Sequence, residues 1–377
     1  MSGLRPLPAP RLPACAGATS AAALWRCVEE VGREIGIDVR DPVPRESAYR
    51  STARVVEGDL RRKLDDQHAA RACGGPVPAG FAEVREPGEN GRAPLVGYFR
   101  APTAADRATV VVVHGLYDSK HSRYVRLSAE ALAAGGFGVL VPDMRWHGCL
   151  LADSLPALGL EEGPDLAAWS GWLRAQRPES PVGLLGFSLG SLAVIHALAA
   201  DGGAFRAGGI AISPPAALGR TLAGLDERPS LFVHGREALI RGFFRYALRV
   251  RLRALGVAEG PERKPFAAFL VWLARQPPFS PGTTPESLIA SAGPGPQLAA
   301  VRRPLLLVIS RRDPVYPPAA VPELAEAAAA NPFLHLVATT DGGHIGHPGT
   351  YPRWTAEVYH RFFAASAGVL AASVGLA

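Results

Sequence analysis

Residues 181–191 read Pro-Val-Gly-Leu-Leu-Gly-Phe-Ser-Leu-Gly-Ser, an apolar run that passes through Gly186-x-Ser188-x-Gly190 into an alanine-rich helical stretch ending near Ala200. A sharp strand-to-helix turn strains its central residue, and the residues two positions to either side must be small if strand and helix are to pass closely. Ser188 is therefore the candidate nucleophile. Its hydroxyl is pushed out above a sheet, and the helix behind it aims N–H groups at any negative charge that forms there.

A serine nucleophile needs a base, and the base needs an acid to orient it. Asp341-Gly342-Gly343-His344 carries an imidazole on a loop that two glycines leave free to swing, so His344 is the expected base. The apolar run 304–310 leads straight into Arg311-Arg312-Asp313, which puts Asp313 just past a strand end. Asp341 is the other candidate acid but reads as a turn residue, and Asp313 is preferred. Oxyanion donors are expected from the N–H of Leu116, after Val113-His114-Gly115, and from the N–H of Leu189. His114 reads as a structural hydrogen-bonding group, with Asp118, His121 and Tyr124 shaping the same loop. Asp143-Met144-Arg145-Trp146-His147-Gly148 reads as a brace between loops. His344 and His347 could share a metal, but no acidic or cysteine ligand stands at a recognised spacing, and no cofactor or metal is expected.

These side chains need a scaffold that gathers distant loops. Apolar runs at 108–113, 137–141, 182–185, 208–213, 304–310 and 333–338 alternate with helical patterns at 124–134, 165–176, 191–200, 319–330 and 351–365. Such alternation predicts an α/β fold with a mostly parallel, doubly wound sheet. Ahead of it, 81–85 and 93–100 flank Asn90-Gly91, the signal of an antiparallel hairpin. The alternation stops over residues 214–302. An excursion of this kind leaves the sheet at the C-terminal strand ends, where ligands bind, and is read as a helical cap. The expected organisation is a proline-rich disordered leader (1–18), a helical extension (19–75) that packs beside the core or covers its entrance, a core in two parts (76–213 and 303–377), and the cap between them. Within the cap, Arg241, Arg245, Arg249 and Arg253 recur every four residues along one helix flank. A solvated face is the plain reading; an anionic membrane surface, met weakly and peripherally, or a phosphate-bearing substrate are the sharper ones.

Composition sets the bounds. A chain of 377 residues, 48% hydrophobic and 20% charged, suits a globular enzyme with a substantial core. The net charge of +6 comes from dispersed arginine, since lysine occurs only at 63, 120 and 264, and no basic run with interleaved aromatics suggests a nucleic-acid partner. Cys15, Cys27, Cys73 and Cys149 lie far apart with no C-x-x-C pair, so free buried thiols are expected. Prolines at 6, 8, 10 and 13 interrupt any apolar signal segment, and no stretch reaches the roughly 20 apolar residues of a membrane span. A cytoplasmic location follows as an expectation.

His114-Gly115, Asp143-x-Arg145-x-His147-Gly148, Gly186-x-Ser188-x-Gly190, Asp313 and Gly343-His344, in this order and at matching strand ends, resemble the α/β-hydrolase superfamily. His114-Gly115-Leu116 with Ser119, His121-Ser122 and Tyr124, the arginine-rich helix, and Gly342-Gly343-His344-x-Gly346 are similar to bacterial hydrolases related to yeast medium-chain ethyl-ester synthase/esterases. The resemblance implies the α/β-hydrolase fold and a serine hydrolase, most simply a carboxylesterase acting on a small acyl ester or lipid. Serine at the elbow argues against dehalogenase or epoxide-hydrolase chemistry. Lipase or phospholipase, thioesterase, peptidase and acyl-transfer activities share the triad and stay open, as does a non-catalytic binding module of the same fold. Residues 1–75 fall outside the resemblance.

Overall fold

The apolar runs pair into one eight-stranded sheet in a computed structural model of the chain, which describes residues 20–35, 76–86, 94–151, 155–227, 236–257, 264–277, 279, 281–311, 313–317 and 319–369. The strands are β1 (Ala82–Glu86), β2 (Leu95–Arg100), β3 (Thr109–Val113), β4 (Gly138–Pro142), β5 (Val182–Phe187), β6 (Gly209–Ile212), β7 (Leu305–Ser310) and β8 (Leu334–Thr339), and their spatial order is β1-β2-β4-β3-β5-β6-β7-β8. β1, β2 and β4 pair antiparallel, and every other pairing is parallel. This is the α/β-hydrolase arrangement. The hairpin signal Asn90-Gly91 lies outside the described residues, as do the leader 1–18, residues 36–75 and the tail 370–377.

Continuous apolar strands are explained by what covers each face. Val111, Val113, Leu184, Leu305 and Leu307 point to one face, and Val110, Val112, Leu185, Leu306 and Val308 to the other, in two separate buried clusters. The first face is packed by the helices Glu162–Gln176, Leu189–Ala200 and Ala320–Ala330, the second by Arg123–Ala134 and Pro352–Val369. With both sides covered, alternation with polar residues would bury unpaired groups, so the central strands β3 to β7 are apolar nearly throughout, whereas the edge strand β1 (Ala-Glu-Val-Arg-Glu) alternates.

The described part of the N-terminal extension is the helix Ala21–Ile35, and it packs beside the core. Leu24, Val28 and Val31 are buried in the second cluster, and Trp25 stacks on His335 of β8 (5.1 Å) and on Phe362 of the C-terminal helix (6.2 Å). Glu29 lies 3.3 Å from the His335 ring. Between β6 and β7 the described residues contain no strand. Leu218–Asp226, Arg236–Ala254, Pro265–Leu273, Pro285–Ala292 and Gly295–Ala300 are helices, and their apolar residues join the first cluster. Among the described residues, no helix is long and apolar enough to cross a membrane.

Two expectations are corrected. The arginine flank of the helix Arg236–Ala254 is not simply solvated: Arg245 is buried and donates to the Asp226 carbonyl, and Arg241 donates to the Gly224 carbonyl at 3.3 Å. The carbonyls at a helix end lack intrahelical donors and attract cations, so the end of the helix Leu218–Asp226 takes up half of the flank. Arg253 stays exposed. Nor are the described cysteines free thiols. Cys27 and Cys149 are both disulfide-bonded, because distance along the chain does not limit which cysteines folding brings together.

Glu162 opens the helix Glu162–Gln176 and is buried, with its carboxylate accepting the N–H groups of Ala157 (3.2 Å) and Gly159 (2.8 Å). It thereby holds a turn in which Leu158 and Gly159 both have positive φ, 55° and 94°. Burial pushes its pKa up from 4.5 to about 7, against the pull of its backbone donors. The folded state therefore binds more protons than the unfolded state between these values, and this group's contribution to stability falls as pH rises through that window. Glu162→Gln cannot titrate. Urea unfolding should show the variant gaining about 2 kcal/mol relative to wild type between about pH 5 and about pH 8; a constant difference across the range would refute the assignment.

Candidate active site

β5 ends at Phe187 and the next helix begins at Leu189, leaving Ser188 alone to turn the chain, with φ 52° and ψ −118°. That conformation costs a non-glycine residue about 1–3 kcal/mol and persists only where its surroundings fix it. Here the Ser188 N–H donates to the Ile212 carbonyl at 2.9 Å, and the β3–β5 register sets Val113 opposite Gly186. A Cβ on Gly186 would overlap the Gly190 carbonyl, and one on Gly190 would overlap the His114 carbonyl and sit 2.7 Å from that of Val113. The two glycines are what let strand, helix and the loop after β3 meet at one point.

The fold brings Ser188, His344 and Asp313 together. Ser188 Oγ lies 2.9 Å from His344 Nε2, while His344 Nδ1 lies 2.9 and 3.1 Å from the two Asp313 oxygens. A carboxylate only accepts, so Nδ1 carries the hydrogen and Nε2 is left to accept from the serine hydroxyl. Asp313 is steadied by the Val315 N–H at 2.9 Å. Asp341, the alternative acid, accepts instead from the Tyr351 hydroxyl at 2.9 Å. His347 is buried with Nε2 2.9 Å from Thr339 Oγ1, and burial lowers its pKa to about 4, so the ring is neutral at pH 7. Among the described residues no group of three or more His, Cys, Asp or Glu is placed to hold a metal ion.

The loop after β3 is held by directional hydrogen bonds. Met144 N–H donates to His114 Nε2 (3.1 Å), which fixes the hydrogen on Nδ1, and Nδ1 donates to the Gly115 carbonyl (2.8 Å). Burial lowers the His114 pKa, so this ring too is neutral. The Tyr124 hydroxyl accepts from Gly115 N–H (2.8 Å) and donates to Asp118 (2.9 Å). His121 pairs with the Tyr98 hydroxyl at 3.0 Å. Asp143 accepts from the Lys120 N–H (2.8 Å), the Cys149 N–H (3.0 Å) and the Lys120 ammonium, tying this loop to the one after β4. Arg145 pairs with Asp165 of the helix Glu162–Gln176 at 2.8 Å. Leu116 and Leu189 follow Gly115 and Ser188, and their N–H groups donate no backbone hydrogen bond to the protein among the described residues.

Sequence reasoning missed Tyr316. Its hydroxyl donates to the Ser213 carbonyl at 2.6 Å and lies 3.3 Å from Ser188 Oγ, and its ring stands edge-to-face with His344 at 4.8 Å. Burial, then the Asp313 charge, push its pKa well above 10, so it stays a neutral phenol. A loop of prolines has no periodicity to flag it. Its position three residues beyond Asp313 was the available signal. Lys120 was missed for a similar reason: a lysine reads as solvated until its partner is seen.

The glycine contacts carry a test. Gly190→Ala should lower stability by about 2–3 kcal/mol, because backbone rather than a flexible side chain stands in the way. Gly224→Ala, in a helix with open space around it, should be neutral or stabilising by up to about 1 kcal/mol. Thermal denaturation of both variants checks the contrast, and equal melting temperatures would contradict it.

Residues 110–358 match the Alpha/beta hydrolase family. Among solved structures, the chain is similar to the Pyrococcus furiosus esterase Pf2001, with 23% identity over 75% of this chain and 91% of that one and a TM-score of 0.52. It is also similar to DcsB, solved in complex with its substrate analogue, with 20% identity over 76% of this chain and 99% of that one and a TM-score of 0.51. No curated protein matches it. At these identities the structural likeness concerns the fold, but the family match spans well over half the chain and takes in the elbow, the histidine loop and the strands between them. The chain therefore belongs to the alpha/beta hydrolase family.

Proposed function

We propose that the protein is a serine hydrolase acting as a carboxylesterase. The reading is carried by one observation, the unbroken hydrogen-bond line from Ser188 Oγ through His344 to Asp313 on a strained elbow. Ser188 Oγ attacks the ester carbonyl carbon and its proton passes to His344 Nε2. The carbonyl oxygen takes the negative charge and is held by the N–H groups of Leu116 and Leu189. Asp313 stabilises the imidazolium, which then protonates the departing alcohol. Water, deprotonated by His344, attacks the acyl-serine; as the C–Oγ bond breaks and the acid leaves, Ser188 Oγ takes the proton back from His344. None of these steps calls on a cofactor.

The helices between β6 and β7 act in this reading as a cap that selects the acyl group, on a small acyl ester or lipid. The name of the Pyrococcus furiosus relative, an esterase, supports ester over amide substrates. Acyl transfer and thioester cleavage use the same residues and differ in the acceptor or leaving group. The disulfide bonds of Cys27 and Cys149 favour an oxidising compartment over the cytoplasm.

A fluorophosphonate probe should label the wild-type protein and not Ser188→Ala, and the variant should lose at least about a thousandfold in turnover of nitrophenyl esters. Absence of labelling in folded wild type would favour a binding module instead. A series of acyl chain lengths on the same leaving group reads out the acyl pocket. Asp313→Asn should lower kcat by at least about a hundredfold, and Asp341→Asn by no more than about fivefold; equal effects would overturn the choice of acid.

A further inference from the structure

Two aromatic residues beside the site hold a backbone conformation that their side chains disfavour. Tyr117, directly after Leu116, has φ 63°, and Trp146, in the loop after β4, has φ 61°. A left-handed backbone at a bulky residue needs something to hold it. Both rings lie against the same cation. The Arg251 guanidinium carbon is 4.7 Å from the Tyr117 ring centroid and 4.8 Å from that of Trp146, and Arg251 Nη1 donates to the Trp146 carbonyl at 2.7 Å. Arg251 is only 2% exposed. It belongs to the helix Arg236–Ala254 of the insertion, 105 residues from Trp146 along the chain. The same helix sets Phe244 against Tyr117 at 5.8 Å, and the helix Pro265–Leu273 lays Phe269 parallel to Trp146 at 5.5 Å.

The geometry points to Arg251 as a positioning residue that fixes the backbone at Tyr117, so that the Leu116 N–H faces the developing oxyanion only while the insertion is docked on the core. The inference rests on the esterase reading and on Leu116 as an oxyanion donor. Arg251 touches no reacting atom and acts through Tyr117. A planar guanidinium can stack on two rings and donate in its own plane at once, which the ammonium of lysine cannot do. The insertion is then part of the catalytic apparatus as well as a cover: lifting it frees Tyr117 and misaims the donor beside it.

The test compares Arg251→Lys, Phe244→Leu and, as a control, Val271→Ala, an exposed residue of the neighbouring helix. Each is assayed for kcat and KM on a nitrophenyl ester and for inhibition by the trifluoromethyl ketone of the same acyl chain. Ser188 Oγ adds to the ketone carbon, its proton passes to His344, and the ketone oxygen becomes the anion that the oxyanion donors must hold. Arg251→Lys should lower kcat and ketone affinity together by about ten- to a hundredfold, with KM within about threefold of wild type. Phe244→Leu should move both in the same direction by a few-fold, and Val271→Ala should change neither.

Simple packing by Arg251 would shift the melting temperature or KM and leave ketone affinity untouched. That result, unchanged kinetics in Arg251→Lys, or a fall in kcat without a parallel fall in ketone affinity would each overturn the inference. If Arg251→Lys shows no cooperative melt, Phe244→Leu decides by the same parallel criterion. Wild-type protein inert to both ester and ketone would refute the esterase reading and take this inference with it, whereas an active wild type with an indifferent Arg251→Lys removes this inference alone.

Discussion

The contact between the Gly190 backbone and the carbonyls of Val113 and His114 is the constraint on which the site depends. β3 and β5 are hydrogen-bonded neighbours, so the loop leaving one and the helix leaving the other emerge side by side. With a side chain between them they would have to part, and the two N–H groups proposed as oxyanion donors would no longer converge. The strain at Ser188 follows from the same crowding. It is tolerated because the pairing of β5 with β6 and the Ser188 N–H bond to Ile212 leave the turn no other route.

Around this point the protein buries many polar groups, and direction rather than number makes them useful. The hydrogen on His114 is assigned by the donor at the opposite ring nitrogen and that on His344 by the carboxylate facing the same nitrogen, and the Tyr124 hydroxyl is an acceptor from one neighbour and a donor to another. The Lys120–Asp143 pair, with both side chains fully buried, is a poor source of net stability because both ions lose their water. Its return is geometric: one carboxylate gathers three donors from two loops, and the loop after β3 cannot drift from the loop after β4.

Much of the fold could be read from the sequence because a strand covered on both faces must be continuously apolar, and each expected strand of the parallel sheet falls within a residue or two of the observed one. The gathering of Ser188, His344 and Asp313 was legible from strand ends, since parallel strands deliver all their C-terminal loops to one edge. Side-chain partnership was not. Periodicity placed Arg241 and Arg245 on one flank without revealing that a helix end lies against it. Arg251, off that flank, is the arginine that meets the loops of the site. Tyr316 and Lys120 gained their meaning only from neighbours distant in the chain. The cysteines follow the same pattern: spacing excluded local motifs and was silent about disulfide bonding.

The parallel register of β3 and β5 has a consequence for how such a protein can change. Backbone ladders, indifferent to side-chain identity, set the height at which the two loops leave the sheet. Interior residues of the strands can then be exchanged for others of similar bulk while the ladder works as a ruler, keeping the loop ends level. A chain of this kind can diverge widely from its relatives in its strands, and the drift it cannot absorb is concentrated at the few glycines where backbone meets backbone.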